Sequence, residues 1–265
     1  MLAVCATPIG NLDDVTLRVL AELGAADVVL AEDTRHSRGL LERHGIRTPL
    51  LSYHEHNEAA RVAELLPRLA AGERMALVTD AGMPGVSDPG LRLVRAALAA
   101  GLPVTVLPGP SAVETALVAS GLGGGGYAFL GFLPRGGGQL TALWAETARW
   151  GVTLVAFESA QRLPETLRSL AAAAPAREVA VCRELTKRFE EVARGTATEL
   201  AERFAEPPRG EITLVLAAAA VSADPAAAQQ AVADLVAAGT PRRVAAEVVS
   251  RLTDVSRNAL YRATL

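Results

Sequence analysis

The residues best suited to hold a ligand lie between positions 77 and 90, in the segment LVTDAGMPGVSDPG. An apolar run ends there at Asp80, and the residues that follow are too rich in glycine and proline to form a helix or a strand. Glycine allows a backbone to approach a ligand closely, and Asp80 and Asp88 supply fixed negative charge. We therefore predict a ligand-binding loop at the end of a buried strand, in preference to a surface turn.

Titratable side chains are also concentrated at two other predicted strand ends, in the segments EDTR (residues 32–35) and SYHEHNE (residues 52–58). Such groups would serve in proton transfer or in recognition of a polar substrate, and the alternative is that they are solvated loop residues. His54 and His56 share one face if this segment is extended. No third ligand follows at a spacing typical of a metal site, so we do not expect a metal.

Two loops that follow other predicted strands are candidates for the walls of the same site. The segment TPIGNLDD (residues 7–14) lacks two of the three glycines of a dinucleotide fingerprint, so an NAD site is poorly supported. This segment is either a ligand wall or a turn with Asp13 or Asp14 as the helix N-cap. Pro108 and Pro110 have no amide hydrogen, so LPGPS (residues 107–111) predicts a rigid apolar wall and not a phosphate nest.

Polar residues also follow or begin strand patterns in the second half of the chain. They are found in FES (residues 157–159), in RELTKR (residues 183–188) and in GEIT (residues 210–213). Lys187 in the second of these segments is the only lysine of the chain. We expect these groups to face the first half of the protein.

Strand and helix patterns alternate over the first 120 residues. Apolar runs predict strands at residues 2–9, 27–31, 49–53, 75–79 and 104–107, and helical patterns occupy residues 14–23, 37–44, 58–71, 91–100 and 111–121. Strands joined by crossover helices form a parallel, doubly wound sheet. Its carboxyl edge would carry the loops at residues 7–14, 32–35, 80–90 and 108–111, and open α/β sheets bind ligands at that edge.

The glycine run GLGGGG at residues 121–126 predicts a hinge to a second α/β unit. Strands are expected there near residues 127–133, 153–157, 178–185 and 212–216, and helices at 140–150, 164–173 and 197–205. Residues 217–228 are rich in alanine and predict a helix or a linker. We predict an N-terminal α/β domain (residues 1–121), a C-terminal α/β domain (residues 122–222) and a helical extension (residues 223–265).

That extension contains the basic part of a chain that is otherwise acidic. From residue 242 onwards the chain contains five arginines and only two acidic residues. The same segment has two short helical patterns, broken at Thr253 and Asp254, which is the layout of a helix-turn-helix. A local excess of positive charge is typical of a contact with a phosphate backbone, and a solvated capping helix is the alternative. The arginines are Arg242, Arg243, Arg251, Arg257 and Arg262.

Composition excludes several other classes of protein. The 265 residues have a formal net charge of −3, which argues against a protein coated in positive charge. The longest apolar runs are far shorter than a membrane span and the N-terminus lacks a basic leader, so we predict a soluble cytoplasmic protein. Cys5 and Cys182 lie in apolar runs and form no CxxC pair, which indicates buried thiols.

The order of these segments resembles that of the ribosomal RNA small subunit methyltransferase I family, which belongs to the tetrapyrrole (corrin/porphyrin) methylase superfamily. The resemblance runs from Thr7 to the last residues, and its specificity lies in the order, since no single motif would suffice. The shared segments are TPIGNLDD, AEDTR, HEHNE, DAGMPGVSDPG, LPGPSA, GFLPR, FES, RELTK and RNALY.

The resemblance implies a homodimer that binds S-adenosylmethionine, without a metal, in the cleft between two α/β domains. It also implies methylation of the ribose 2′-hydroxyl of a cytidine in the decoding region of 16S ribosomal RNA, in the small ribosomal subunit. Carried over motif by motif, the donor-binding residues would be Pro8, Gly10, Asp80, Ala81, Gly82, Met83, Val86, Ser87, Asp88, Pro108, Gly109, Ser111, Phe157, Glu211 and Thr213.

The chain departs from the family pattern at four positions, all in the second half. Ala160 and Gln161 replace an expected proline and histidine, Phe189 replaces an expected histidine, and Leu130 stands where an acidic residue is common. Gln161 and Phe189 are therefore poor candidates for catalysis.

A ribose hydroxyl is a weak nucleophile near neutral pH, so a base or a cation is expected beside it. The candidate bases are Glu32, Asp33, His54, Glu55 and His56, and the candidate cations are Arg35 and Lys187. We select Asp33, Arg35, His54 and Glu55 as the polar cluster nearest the acceptor, and Lys187 with the five tail arginines as RNA contacts.

Two other functions remain open from the sequence. A methyltransferase acting on a corrin or porphyrin precursor would share the donor loops. A non-catalytic RNA-binding protein that kept the fold would share the basic tail.

Overall fold

The structure is a computed structural model of the chain, and it describes residues 1–219, 225–253 and 255–263. Residues 1–147 and 152–218 form one compact unit, called here the α/β unit, which contains two sheets. Residues 148–151 and 219–265 form a second compact unit, called the C-terminal unit. The domain limits predicted at residues 121 and 222 stay a prediction.

The first sheet consists of five parallel strands in the order β3-β2-β4-β1-β5, as the alternation of strand and helix predicts. Its inner strands are buried on both faces, because separate apolar cores lie on either side of it. The strands are β1 (Leu2–Cys5), β2 (Val28–Ala31), β3 (Leu50–Ser52), β4 (Met75–Leu77) and β5 (Val104–Leu107). The helices that follow them are α1 (Leu17–Ala25), α2 (Thr34–Arg43), α3 (Glu58–Ala70), α4 (Leu91–Ala99) and α5 (Ala112–Ser120).

The first strand and the first helix are both shorter at their junction than predicted. The strand ends at Cys5, although the apolar run continues to a buried Ile9, because the chain turns there to pair with another loop. Asn11 caps a 3-10 turn at Leu12–Asp14, and the hydroxyl of Thr16 accepts from the Val19 amide at the start of α1. The N-cap of the helix is therefore Thr16, and not Asp13 or Asp14.

The second sheet has the order β6-β7-β10-β8-β9 and is mixed. β6 and β7 are parallel, whereas β10 is antiparallel to both β7 and β8, and β8 is antiparallel to β9. The strands are β6 (Tyr127–Phe132), β7 (Thr153–Ser159), β8 (Glu178–Arg183), β9 (Glu191–Thr196) and β10 (Glu211–Leu216), and the helices are α6 (Gly137–Thr147), α7 (Leu163–Ala173) and α8 (Ala197–Arg203).

Strand β9 was not predicted from the sequence. This strand lies at the edge of the sheet, and of its residues only Ala193 is fully buried, while Arg194 is exposed. An edge strand of this kind has no apolar run for a pattern to detect.

Helix α5 connects the two sheets through a shared core. It follows β5 of the first sheet, yet Val113 and Ala116 pack with Val155, Ala180 and Val215 of the second sheet. Cys5 and Cys182 are free and buried, as predicted.

The described residues of the C-terminal unit form three helices, α9 (Pro225–Ala237), α10 (Arg242–Thr253) and α11 (Arg257–Ala263). They bury a small core of their own, built from Ala228, Val232, Ala245, Ala246, Val249, Val255 and Leu260. The two predicted helical patterns after residue 242 are confirmed, and Asp254, at their predicted break, lies outside the described residues. Among the described helices, none is long and apolar enough to cross a membrane.

Candidate functional site

A cavity of about 860 Å³ lies between the two sheets of the α/β unit. On one side are the loops that leave the carboxyl ends of β1, β2, β4 and β5, and on the other side are residues of β6, β7, β8 and β10. Its size is that of a typical small-molecule site. The predicted carboxyl-edge site is therefore present as a cavity that both sheets enclose.

The loop at residues 80–90, called here the Asp80 loop, forms one wall and is held in place by its neighbours. Thr7 and Gly82 exchange two backbone hydrogen bonds, of 2.8 and 3.1 Å, and the Thr7 hydroxyl donates to the Thr79 carbonyl at 2.9 Å. Asp80 accepts from the Asp33 amide at 3.1 Å. Ser87 has a φ of +64°, a left-handed conformation that a non-glycine residue adopts only where its surroundings impose it.

The SYHEHNE segment supports the far end of the same loop. The Glu58 carboxylate accepts from the Gly90 amide at 2.8 Å and from the buried Tyr53 hydroxyl at 3.1 Å. Gly90 itself has a φ of +136°, and a Cβ there would lie 2.9 Å from Leu77 Cδ2, so glycine is required. Glu58 thus fixes the point at which the Asp80 loop enters α4.

The ionisable side chains that line the cavity are carboxylates, apart from one thiol and one phenol. Among the described residues that line it there is no lysine, arginine or histidine. The six carboxylates come from the loops after β2 and β4, from helix α5 and from strands β7 and β10: Glu32, Asp80, Asp88, Glu114, Glu158 and Glu211. The cavity is therefore suited to a ligand with positive charge.

Asp88 is a carboxyl of this cavity with a raised proton affinity. The pKa of Asp88 is raised to about 7, mainly by burial and further by the negative charges of Glu32 and Asp80. The Thr79 hydroxyl lowers this pKa in part. That hydroxyl donates its proton to Glu32 at 2.9 Å.

Aromatic side chains form the opposite wall. Phe157 makes edge-to-face contacts with Phe129, at a centroid distance of 4.9 Å, and with Phe132, at 5.5 Å. Tyr127 also lines the cavity and donates its hydroxyl proton to Glu114 at 2.6 Å. A flat apolar group such as a nucleobase would find a complementary surface here.

The two halves of the cavity meet in a close contact between residues 9–11 and residues 184–187, called here the inter-sheet contact. The Thr186 hydroxyl accepts from the Asn11 amide at 3.0 Å. Glu184 and Thr186 have positive φ values of 52° and 65°. Lys187 donates to Glu184 at 3.0 Å and to Glu211 at 2.8 Å, so its charge is balanced within the protein.

Glu158 lies at the end of β7 with a fully buried side chain. It accepts from the Ser159 amide at 2.7 Å and from the Thr166 hydroxyl at 2.6 Å, and it forms an ion pair with Arg162. Arg162 in turn donates to the carbonyls of Leu133 and Pro134, directly after β6. The pair therefore connects the two strands that carry the aromatic wall.

The structure places most of the predicted donor-binding residues around one cavity. Thirteen of the fifteen line it, and the exceptions are Pro8 and Gly10, which flank the lining residue Ile9. Other polar or aromatic residues that line the cavity were not selected from the sequence, namely Glu114, Tyr127, Phe129, Phe132, Glu158 and Ser159. They belong to α5 or to strands of the second sheet, and their position depends on tertiary packing.

The four residues selected as a catalytic cluster do not line the cavity. Asp33 caps α2 through the Arg35 amide and pairs with the exposed Arg35 side chain at 3.0 Å. His54 lies beside Asn57, with 3.2 Å between Nε2 and the amide nitrogen, and Glu55 is exposed. Their part in catalysis stays a prediction, and of the candidate bases Glu32 alone lines the cavity.

Comparison with known proteins places this geometry in a family. Residues 1–201 match the family model "Tetrapyrrole (Corrin/Porphyrin) Methylases". The chain is 45% identical over 268 residues to ribosomal RNA small subunit methyltransferase I of Mesorhizobium japonicum, covering 100% of this chain and 91% of the relative. It is 44% identical over 216 residues to the protein of the same name from Thermotoga maritima, covering 81% and 97%.

Solved structures share the fold at lower identity. The methyltransferase CobJ matches with a TM-score of 0.62 at 22% identity, over 83% of this chain and 94% of that one. Uroporphyrin-III C-methyltransferase from Thermus thermophilus, in complex with S-adenosylhomocysteine, matches with a TM-score of 0.58 at 21% identity, over 81% and 96%. With its two-sheet fold and its sequence identity along the whole chain, the protein belongs to the ribosomal RNA small subunit methyltransferase I family of the tetrapyrrole methylases.

Proposed function

We propose that this protein transfers a methyl group from S-adenosylmethionine to the ribose 2′-hydroxyl of a cytidine in the decoding region of 16S ribosomal RNA. The observation that carries the proposal is the carboxylate-lined cavity built from the DAGMPGVSDPG segment, in a chain 45% identical to a ribosomal RNA small subunit methyltransferase I. The acceptor would be the small ribosomal subunit, and the protein would act in the cytoplasm as a homodimer.

The residues of the cavity fit the proposed donor. S-adenosylmethionine carries a sulfonium, an ammonium and a carboxylate group, and so has a net positive charge. Of the six carboxylates that line the cavity, Glu158 and Glu211 pair with Arg162 and Lys187, and the other four favour a cationic ligand. The Asp80 loop and residues Pro108, Gly109 and Ser111 would hold it on the first-sheet side. Phe157, Glu211 and Thr213 would hold it on the second-sheet side.

The chemistry requires little covalent work from the protein. When bound, the donor supplies an electrophilic methyl carbon on a positively charged sulfur. The residues of the cavity would align the acceptor oxygen with that carbon, and alignment of two reactants supplies a large part of many rate enhancements. The aromatic wall and the Asp80 loop lie on opposite sides of the cavity in which this alignment would take place.

The same electrostatics favour a neutral acceptor over an anionic one. A ribose hydroxyl is uncharged, so only the nucleoside would enter the carboxylate-lined cavity while the phosphates remain outside. Corrin and porphyrin precursors carry several carboxylates and would meet like charge at the lining.

The proposal is tested by methyl transfer from radiolabelled S-adenosylmethionine to small ribosomal subunits from cells that lack the protein. Label in a 2′-O-methylated cytidine is the expected result. Donor binding by calorimetry without label in the RNA would contradict the proposed acceptor. Label in a corrin or porphyrin precursor would establish the alternative enzyme, and donor binding without transfer to any acceptor would indicate a non-catalytic RNA-binding protein.

The basic tail is proposed to hold the RNA. Four of its five arginines have exposed side chains, namely Arg243, Arg251, Arg257 and Arg262, and none of them forms an ion pair with another described residue. The RNA-binding role of the tail is better tested by substituting its side chains than by a deletion of the residues after Thr240. Such a deletion removes α10 and α11, and with them the partners of Ala228 and Val232 in the core of the C-terminal unit.

Changing these four arginines to glutamine together is expected to weaken RNA binding and to leave donor binding unchanged. Each lost phosphate contact lowers the slope of log affinity against log salt by about 1, so the slope should fall by about 3 to 4. Fluorescence anisotropy with a labelled 16S fragment at several salt concentrations measures this slope.

A matched control removes the same charge from the α/β unit. Its four substitutions are Arg18→Gln, Arg38→Gln, Arg95→Gln and Arg168→Gln, all at exposed positions. Equal losses of RNA affinity in both variants would show that only net charge matters, and the tail would then be a capping element.

A further inference from the structure

We infer that the Asp88 carboxylate removes the proton from the acceptor hydroxyl, an assignment that rests on the function proposed above. The resemblance places Asp88 only among the donor-binding residues. The structure distinguishes it from the other carboxylates by its position, its hydrogen bonding and the charges around it.

Asp88 lies on the wall of the cavity at a fixed point of the Asp80 loop. The residue before it, Ser87, has a left-handed backbone. Two residues after it, the Gly90 amide is bound by Glu58. A carboxylate whose backbone is fixed on both sides is preorganised, and a base needs that to meet a hydroxyl in a defined geometry.

The other five carboxylates of the cavity already accept hydrogen bonds from the protein. Glu32 accepts from Thr79, Asp80 from the Asp33 amide, and Glu211 from Lys187. Glu114 accepts from Ser111 and Tyr127, and Glu158 from three donors including Arg162. These five carboxylates are therefore already engaged by hydrogen-bond donors of the protein.

The surroundings of the Asp88 carboxyl differ from those of the other five. The Thr79 hydroxyl, which also lies beside Asp88, directs its proton to Glu32. The charged groups that face it are Glu32, from the end of β2, and Asp80, from its own loop, and both are negative. Its pKa of about 7 is close to neutral pH, which is where a general base is most effective.

The proposed step balances in atoms and charge. The Asp88 carboxylate accepts the 2′-hydroxyl proton while the hydroxyl oxygen forms its bond to the methyl carbon. The carbon–sulfur bond breaks with its electron pair going to sulfur, which leaves neutral S-adenosylhomocysteine and a 2′-O-methyl ribose. Asp88 then loses its proton to solvent.

The variant Asp88→Asn, of nearly equal size, tests the inference. We expect methyl transfer to fall by at least about 100-fold, the usual contribution of a general base, while donor affinity by calorimetry stays within about threefold. Equal loss of donor affinity and transfer would make Asp88 a donor ligand and overturn the inference. Unchanged transfer would overturn it as well.

A readout independent of turnover is the pH dependence of stability. Between about pH 4 and about pH 7 the Asp88 carboxyl holds its proton in the folded state and has lost it in the unfolded state. The wild type therefore loses stability through Asp88 as pH rises in this window, and the asparagine variant does not. The free energy of unfolding of the variant relative to wild type should rise with pH, and a constant difference would contradict the inference.

Glu32→Gln provides the second kinetic test. It removes one of the negative charges that raise the pKa of Asp88, so the acid limb of the pH–rate profile should move to lower pH. An unmoved limb contradicts the inference. Failure of the proposed function is recognised separately, because the wild-type protein would then label no small-subunit RNA at any pH.

Discussion

Replacing Gly10 by alanine should weaken S-adenosylmethionine binding by at least about tenfold, an effect of about 1.4 kcal/mol. A Cβ at this position would lie 2.5 Å from Lys187 Cγ, 2.7 Å from Thr186 Oγ1 and 2.9 Å from the Leu185 carbonyl oxygen. Since the last contact is with backbone, a rotamer change cannot relieve it. The inter-sheet contact must open, and Ile9 and Leu185, which line the cavity from opposite sides, move with it.

Calorimetric titration of donor into the Gly10→Ala variant measures this loss. Gly39→Ala is the matched control, because a Cβ at Gly39 would meet nothing within 4 Å and the residue lies on the exposed face of α2. The control should bind the donor normally and gain about 0.5–1 kcal/mol in stability from the higher helix propensity of alanine. Normal donor affinity in both variants would mean that the inter-sheet contact does not set the shape of the cavity.

The first sheet could be predicted from the sequence because each of its strands carries its own local signal. Strands such as β2 and β4 are short apolar runs, and a loop of polar and glycine residues follows each. In a parallel sheet those loops must lie together at one edge. One wall of the cavity can therefore be predicted without any knowledge of side-chain packing. β9 has no such run and was missed for that reason.

The predicted catalytic cluster lies outside the lining of the cavity, because a local density of titratable residues does not determine where their side chains lie in the fold. The density of titratable residues in EDTR and SYHEHNE also serves to build the loops, since Asp33 caps a helix and Glu58 binds the Gly90 amide. Lys187, singled out as the lone lysine, lies between Glu184 and Glu211. Conversely, the high proton affinity of Asp88 arises partly from Glu32, which is distant in sequence, and no local pattern could reveal it.

A second large effect is expected at Glu158, where substitution by glutamine should lower the free energy of unfolding by about 3 kcal/mol. The fully buried carboxylate accepts from Ser159 and Thr166 and balances the charge of Arg162. An amide of the same shape cannot balance that charge, although its NH2 group could donate to the Thr166 hydroxyl in place of the bond that the carboxylate accepts. Urea unfolding at neutral pH measures the difference.

Glu165→Gln is the control, since it removes the same charge from an exposed position in the first turn of α7, the helix that begins after Arg162. It should cost less than about 1 kcal/mol, which is the scale of a charge at a helix N-terminus. Similar small losses in both variants would show that Glu158 contributes no more than a surface charge.

The ion pair need not make the protein more stable than an apolar pair would, because burying two charges costs about as much as their attraction returns. We therefore infer that the ion pair serves to position β6 and β7 relative to one another. Arg162 binds the carbonyls of Leu133 and Pro134, and Glu158 ends the strand that carries Phe157. The Glu158→Gln variant should accordingly lose donor affinity as well as stability, because Phe132 and Phe157 shift relative to one another and the aromatic wall no longer closes the cavity.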